Sequence, residues 1–503
     1  MFFDCFGKVV RSTALVVSGA VVGLAIAPLS LWAETVELQL LHLNDVYEIT
    51  PLGGGATGGL ARLATLRKEL LTENPHTFTV LAGDLFSPSA LGTAVVDGDR
   101  LAGKQIVAVM NQVGLDLATF GNHEFDISES QFRQRLAESE FQWFSGNVLT
   151  TAGEPWENVP PYVIETIYGE AGTPVRVGFV GVVIPSNPVD YVTYLDPLEQ
   201  METLVAELDA QTDIIVAVTH LAMQDDHYLA ENIPEIDLIL GGHDHENIQQ
   251  WRGADFTPIF KADANARTVY LHNLSYDTET DQLTVQSHLQ PITAAIASDP
   301  ETEQVVNYWQ ELAFDGFRAN GFEPEQIITE SPIALDGLES SVRNQATALT
   351  EIIAQSMLTV TPSAELAFFN GGSIRVDDVL PPGPLSQYDV IRILPFGGNL
   401  ATVEIKGATL ERILNQGLAN RGTGGYLQTA GVTFVPESQT WQIGDRPLDS
   451  QRIYRVAATE FLISGRETGL DFFTPDHPDV TLIETGEDVR FAFIQQLQQE
   501  WAD

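Results

Sequence analysis

LLHLNDVYEI, residues 40–49, begins as an apolar run and ends in polar chemistry, with Asn44, Asp45 and Tyr47 following Leu40, Leu41 and Leu43. A carboxylate at the mouth of a buried strand costs free energy unless a cation pairs with it. The same layout returns at Gly83-Asp84, at GNHEFD (121–126), at Thr219-His220 and at GGHDH (241–245). Each cluster follows a short apolar run, and such runs (77–82, 214–218 and 236–240) alternate with helical stretches. Buried strands alternating with helices indicate a layered α/β domain, in which ligands gather at the carboxyl ends of strands. All five clusters are therefore expected at one edge of the sheet.

Together they supply Asp45, Asp84, Asn122, His220, His243 and His245, an oxygen and nitrogen donor set suited to two adjacent divalent cations. Two-metal sites place their ions about 3.5–4 Å apart and clamp an in-line phosphoryl transfer, with a carboxylate such as Asp84 able to bridge. Donors of this hardness favour Mn, Zn, Mg or Fe. The sole cysteine, Cys5, lies in the N-terminal leader, so thiolate ligation is excluded for the rest of the chain. His42, His76, His227, His272, His288 and His477 are read as core or surface histidines.

The chain has 503 residues, 44% of them hydrophobic and 19% charged, with a net charge of −44. That length accommodates about two to four domains. The acidic balance excludes nucleic acid polymers and anionic membrane as partners of the general surface. An anionic small molecule remains possible where metals or arginines reverse the local field, because screening confines charge effects to about 8 Å. Residues 1–33 differ from the remainder: Lys8 and Arg11 precede an apolar run over 12–31, then Leu31-Trp-Ala33 and Glu34. This is the layout of a signal peptide cleaved after Ala33, or of an uncleaved N-terminal anchor. The protein is thus expected to be exported, periplasmic or extracellular, with no stable membrane contact beyond such an anchor. No motif speaks to oligomeric state.

Gly53-Gly-Gly and Gly58-Gly59 precede LARLATL without the Gly-Lys-Ser/Thr of a phosphate-cradling loop, so they read as a turn opening a helix. Residues 301–321 read as one helix, with Val305, Val306, Trp309, Leu312, Ala313 and Phe317 on one face and Gly321 ending it.

GDLF (83–86), GNHEFD, the lone strand-end His220 and GGHDH, in that order, resemble the calcineurin-like metallophosphoesterases. With the second half of the chain they resemble the secreted 5′-nucleotidase/UDP-sugar hydrolase family. The resemblance implies an α/β fold, a metallophosphoesterase sandwich of two β-sheets flanked by helices, with a second, smaller α/β (α+β) substrate-binding domain. The corresponding segments are 1–33 for the leader, 34–298 for the metallophosphoesterase domain, 299–328 for a linker helix and 329–503 for the second domain. It also implies that Asp45, Asp84 and His245 hold one metal, and that Asp84, Asn122, His220 and His243 hold the other. His123 and Asp126 correspond to the family's catalytic dyad, the imidazole stabilising charge on the transferring phosphoryl group and the carboxylate orienting the ring.

Tyr47 departs from the family, which usually has Asp-x-His at the first cluster. Residues i and i+2 share a face of a strand, so either Tyr47 reaches the ion or it packs nearby and water fills the position. A phenolate favours Fe(III), as in the purple acid phosphatases that this arrangement partly resembles.

In the second domain a strand-like run, 366–369, leads into NGGSIR (370–375), and LPFGGN (394–399) and TEFLISG (459–465) follow. Glycines let backbone N–H groups approach an anion, and Arg375 adds a forked donor. The resemblance implies that Phe396 and Phe461 sandwich a base, with stacking worth about 1–3 kcal/mol per base. It gives Asn370 to base or ribose and Arg343 and Arg375 to charged groups. The family's Gly-Gly-Asp-Gly is replaced by GRETGLDF (465–472), so Glu467 or Asp471 would hold the ribose, with Asp471 preferred.

The function expected is a metal-dependent hydrolase of nucleoside 5′-monophosphates. Nucleoside di- and triphosphates, UDP-sugars and 2′,3′-cyclic nucleotides are possible further substrates. One alternative is a non-nucleotide phosphate or sulfate-type ester. Another is a non-catalytic nucleoside- or phosphate-binding protein, against which His123 and Asp126 argue, since binding alone needs no dyad.

Overall fold

A computed structural model describes residues 34–501. The expected leader, 1–33, lies outside the described residues. Two compact units are present among the described residues, one comprising 34–92 and 101–312, the other 93–100 and 313–501.

The first unit is built on two six-stranded sheets. In one, Thr35–Leu43, Thr77–Ala82, Leu117–Thr119 and Gln142–Phe144 run parallel, and Thr268–Asp277 pairs antiparallel to Thr35–Leu43. In the other, Pro174–Val183, Ile214–His220, Leu238–Gly241 and Thr257–Lys261 are parallel, with antiparallel strands Tyr162–Tyr168 and Ile248–Arg252 at the edges. Alternate residues of facing strands fill the layer between the sheets: Leu38, Leu40, Val80, Ala82 and Phe144 from the first, Phe179, Val216, Val218, Leu240 and Phe260 from the second. The other face of the second sheet is covered by helices Pro197–Asp209 and Met223–Asn232, through Met201, Val205, Leu208 and Leu229. Strands buried on both faces read as continuous apolar runs, which is why 77–82 and 214–218 stand out in the sequence.

One expectation is corrected. The five clusters do not share an edge of one sheet: Asp45, Asp84 and the 121–126 segment follow strands of the first sheet, while His220 and the 241–245 segment follow strands of the second. The cause is strand pairing. Parallel strands join through crossovers, and nothing local in a run says which sheet it enters.

Gly59, at φ 96°, leads into helix Leu60–Glu73, so the glycine-rich segment does open a helix. Helix Pro300–Ala319 is preceded by Asp299, whose Oδ1 accepts the Thr302 N–H at 3.0 Å and the Thr302 hydroxyl at 2.8 Å, while Lys68 Nζ donates to Oδ2 at 2.5 Å. Burial raises this carboxyl's pKa, but Lys68 and Thr302 outweigh it and hold it down at about 2. A depressed carboxyl stabilises the fold above its ordinary pKa and loses that contribution as pH falls through its native one. Asp299→Ala is expected to cost about 1–2 kcal/mol at neutral pH, with the difference from wild type shrinking as pH falls from 3.8 towards 2. Urea midpoints at both ends of that window check it.

The second unit has a five-stranded sheet in the order Leu427–Ala430, Leu366–Asn370, Ile453–Thr459, Asn399–Lys406, Val480–Asp488. Its core gathers Leu366, Phe368, Val403, Ile405 and Val456 with Leu410, Ile413 and Leu414 of helix Gly407–Ala419. No helix among the described residues is long and apolar enough to cross a membrane.

Candidate metal centre

Asp45, Asp84 and His243 each sit at a strand end with positive φ, 52°, 58° and 75°. Left-handed backbone is uncommon outside glycine, and such residues cluster where function demands an unusual aim. Asp45, Asp84 and His220 are buried, with ligand atoms within 4.8 Å of one another. His220 Nε2 lies 3.3 Å from Asp84 Oδ2 and 3.9 Å from Asp45 Oδ1, and His245 Nε2 lies 3.4 Å from Asp45 Oδ1. His243 joins through its backbone N–H, which donates to Asp45 Oδ2 at 3.0 Å, and its ring centroid is 5.3 Å from that of His220.

The donor count shows what the cluster lacks. His220 Nδ1–H donates to the Ala82 carbonyl at 2.8 Å, which aims the Nε2 lone pair at the two carboxylates. His220 Nε2 and Asn122 Oδ1 are buried without a hydrogen-bond partner. Buried polar atoms are nearly always paired, and oxygen and nitrogen lone pairs turned towards one another require a cation. Burial lowers the His220 pKa, yet Asp84 and Asp45 together carry it up to about 9, so the site is negative enough to recruit a proton where a metal fits. His243 is instead lowered to about 4 by burial and by His220, which keeps it neutral and able to ligate.

The supports are backbone deep. A Cβ on Gly242 would lie 2.1 Å from the Ala82 carbonyl and 2.8 Å from His220 Nδ1, and one on Gly121 would lie 2.2 Å from Asp84 Oδ1. Only glycine permits those approaches. Asn44 locks Asp45, donating to its Oδ2 at 2.7 Å while exchanging bonds with the backbone of Ala262.

His123 donates its backbone N–H to Asp84 Oδ1 at 2.8 Å, and its Nδ1 is 2.7 Å from Asp126 Oδ2. Its ring faces the edge of the Tyr47 ring, with centroids 6.5 Å apart. Tyr47 Oη stands among the ligand atoms, 2.9 Å from Asp84 Oδ2, 3.2 Å from Asp45 Oδ1 and 3.3 Å from His245 Nε2.

Four supporting residues, Glu124, Ser87, Asn187 and Lys261, escape the sequence reading. Glu124 is fully buried and accepts the backbone N–H groups of Asp84, Leu85, Phe86 and Gly121, tying the loops after Ala82 and Phe120 together. Asp126 is also held by Ser87 Oγ at 3.0 Å and Asn187 Nδ2 at 2.9 Å. Lys261 is buried between Asp226 and Asp244, at 2.8 and 2.6 Å, and fixes the base of the 241–245 turn. A lysine closing the apolar strand Thr257–Lys261 was the one signal available.

In the second unit, Gly371 and Gly372 donate their N–H groups to the Tyr426 and Gly424 carbonyls, seating the turn after Asn370, whose Oδ1 accepts Ser373 Oγ–H at 2.6 Å. Phe396 and Phe461 are 42% and 45% exposed, large apolar rings left outside the core. The Arg375 guanidinium lies 5.7 Å from the Phe396 ring centroid, and Arg343 and Arg375 share Glu339 as an anionic partner. Glu467 packs against the Gly425 turn, where a Cβ would lie 2.7 Å from its Oε1, while Asp471 is exposed. The Phe396 loop is underpinned by Asp488 and Arg490: Val489 N–H donates to the Gly398 carbonyl, and a Cβ on Gly397 would lie 2.5 Å from the guanidinium.

A two-sheet sandwich with an oxygen and nitrogen donor set where strands of both sheets end defines a metal-dependent phosphoesterase. Residues 38–247 match the calcineurin-like phosphoesterase model, and residues 328–474 match the 5′-nucleotidase C-terminal domain. The chain belongs to the 5′-nucleotidase family of metallophosphoesterases. It is 26% identical to the 5′-nucleotidase of Bos taurus, over 85% of this chain and 83% of that one. It is also 26% identical to a trifunctional nucleotide phosphoesterase of Bacillus subtilis, over 87% of this chain but only 32% of that longer protein. Its fold matches that of a 5′-nucleotidase precursor from Thermus thermophilus, at 23% identity and TM-score 0.75, covering 92% of this chain and 97% of the other. Calcineurin-like phosphoesterases use a dinuclear metal centre.

Proposed function

We propose that the protein is an exported hydrolase that releases phosphate from nucleoside 5′-monophosphates, with residues 34–298 carrying the metal chemistry, 299–328 linking and 329–503 recognising the nucleoside. Nucleoside di- and triphosphates, UDP-sugars and 2′,3′-cyclic nucleotides present the same ester chemistry. The observation that carries the reading is the clustering of Asp45, Asp84, His220 and His245 ligand atoms with too few donors between them, with Asn122 Oδ1, on the neighbouring 121–126 segment, buried and unpartnered. Export is supported by Lys8 and Arg11 ahead of the apolar residues 12–31.

In this reading Asp45, Asp84 and His245 hold one ion of the Mn, Zn, Mg or Fe class, and Asp84, Asn122, His220 and His243 hold the second. When bound, such ions polarise phosphoryl oxygens and lower the pKa of a water. Asp126 accepts from His123 Nδ1–H, which leaves Nε2 to meet charge developing on the phosphoryl group, and Ser87 and Asn187 keep Asp126 in place. Phe396 and Phe461 stack the base, Asn370 bonds base or ribose, Arg343 and Arg375 orient charged groups, and Asp471 or Glu467 holds the ribose hydroxyls.

The test compares AMP with p-nitrophenyl phosphate. Phe396→Ala and Phe461→Ala are each expected to raise KM for AMP about 5- to 100-fold, the equivalent of about 1–3 kcal/mol of stacking, with p-nitrophenyl phosphate turnover unchanged. Equal behaviour of wild type and both variants on AMP would move the reading to a non-nucleotide phosphate or sulfate-type ester.

A further inference from the structure

We propose that Glu339 is a specificity-determining residue: its carboxylate occupies the arginines that receive the charged part of the substrate, and so favours nucleoside monophosphates over di- and triphosphates. The proposal rests on the reading above, in which Arg343 and Arg375 orient charged groups. Glu339 opens the short helix Glu339–Val342, and Arg343 follows at i+4, so the two side chains meet on one face. Glu339 Oε1 accepts from Arg343 Nη2 and lies 3.6 Å from Arg375 Nη1. One carboxylate oxygen stands against two guanidiniums.

The two arginines are not served equally. Arg343 hydrogen-bonds to Glu339, whereas the Arg375 guanidinium makes no hydrogen bond among the described residues. The Nε–H of each is buried without an acceptor. A guanidinium carries five N–H groups, and Phe396, its ring centroid 5.7 Å from Arg375, offers a π face but no oxygen. Spare donors on a cation whose side chain is only 18% exposed call for an anionic acceptor. The cluster is also fixed in place. Glu339 N–H donates to Asp377 Oδ1 at 2.8 Å, and Arg375 N–H donates to the Ile393 carbonyl at 3.0 Å. A Cβ on Gly371 would lie 2.6 Å from the Val342 carbonyl, so the turn after Asn370 abuts the helix that carries Glu339.

Glu339 repels what the arginines attract. An anion hydrogen-bonded to Arg375 has the Glu339 carboxylate beside the same guanidinium, well inside the screening length of about 8 Å. The repulsion grows with the ligand's charge. Each further phosphoryl group adds about one negative charge for Glu339 to oppose, while a neutral nucleoside is indifferent to it. Discrimination by a repulsive group is as effective as discrimination by an attractive one. Glutamine at 339 keeps an oxygen to accept from Arg343 and removes the repulsion, which isolates charge from shape.

The experiment measures kcat and KM of the full, metal-loaded chain for AMP, ADP and ATP, with inhibition of AMP turnover by adenosine, in wild type and Glu339→Gln. Wild type is expected to show a higher kcat/KM for AMP than for ADP or ATP. In Glu339→Gln the KM for ADP is expected to fall about 3- to 10-fold relative to that for AMP, and the KM for ATP further, with adenosine inhibition moving less than about 2-fold. The relative gain shrinks with added salt, as a change of shape alone would not. Glu339→Asp, which keeps the charge but shortens its reach, shifts the ratio the same way by less, and decides the matter should the glutamine variant not fold. A wild type that prefers ADP or ATP, an unchanged ratio in the variants, or an equal loss for every ligand including adenosine would overturn the role of Glu339 and leave nucleotide hydrolysis standing. Arg375→Ala tests the reading beneath it: if KM for AMP and ADP stays at wild type there too, the arginines do not receive the charged groups. A chain that hydrolyses no nucleotide would overturn both.

Discussion

Asp84→Asn is expected to lower phosphate release by about 10³-fold or more, because in the proposed reading the group it alters is shared by both metal positions. Asp84 Oδ2 faces Tyr47 and His220, and Oδ1 accepts the backbone N–H of His123. Asparagine keeps the shape but replaces one acceptor oxygen with a donor and removes the charge that, with Asp45, carries His220 up to about 9. The loop keeps its course, since Glu124 rather than Asp84 binds the N–H groups of residues 84 to 86. Metal content and activity therefore fall together while circular dichroism and urea midpoint stay near wild type. A variant that keeps its full metal complement and its turnover would contradict this assignment of Asp84.

His123→Ala is the second large effect, and it separates chemistry from metal binding. The short contact of the His123 ring is with Asp126, while its backbone N–H serves Asp84. Removing the imidazole is expected to lower kcat about 10²- to 10³-fold, the usual loss for a preorganised donor to developing charge. Metal stoichiometry stays unchanged and KM for AMP moves little, because the ring acts on charge that appears in the transition state. Alanine removes no backbone N–H, so Asp84 stays in register. A parallel loss of metal would make His123 a structural support of the centre instead.

Much of the site was legible because its residues come as strand-end clusters, each carrying its own signal. Asp45, Asp84, Asn122, His220, His243 and His245 announce themselves as polar groups after buried runs; the structure brings Asp45, Asp84, His220 and His245 side chains together and sets the His243 backbone against Asp45, while Asn122 is buried on the neighbouring segment. What escaped is long-range. Glu124 looks like one more acidic residue in GNHEFD, and its function as a clamp depends on a loop some 40 residues away. Asn187, 61 residues from Asp126, sits in a turn with no local mark of that contact. The division of the clusters between two sheets was hidden for the same reason, since equally apolar runs enter either sheet. Tyr47 is the opposite case: its oddity was visible in the sequence, but its three heteroatom contacts were not.

The most direct measurement is phosphate release from AMP by the full chain, metal-stripped and then reloaded, beside Asp84→Asn treated the same way. The account predicts an inactive stripped protein, recovery with about two ions per chain, and no recovery in the variant. Full activity in the stripped chain, or equal recovery by Asp84→Asn, would contradict it.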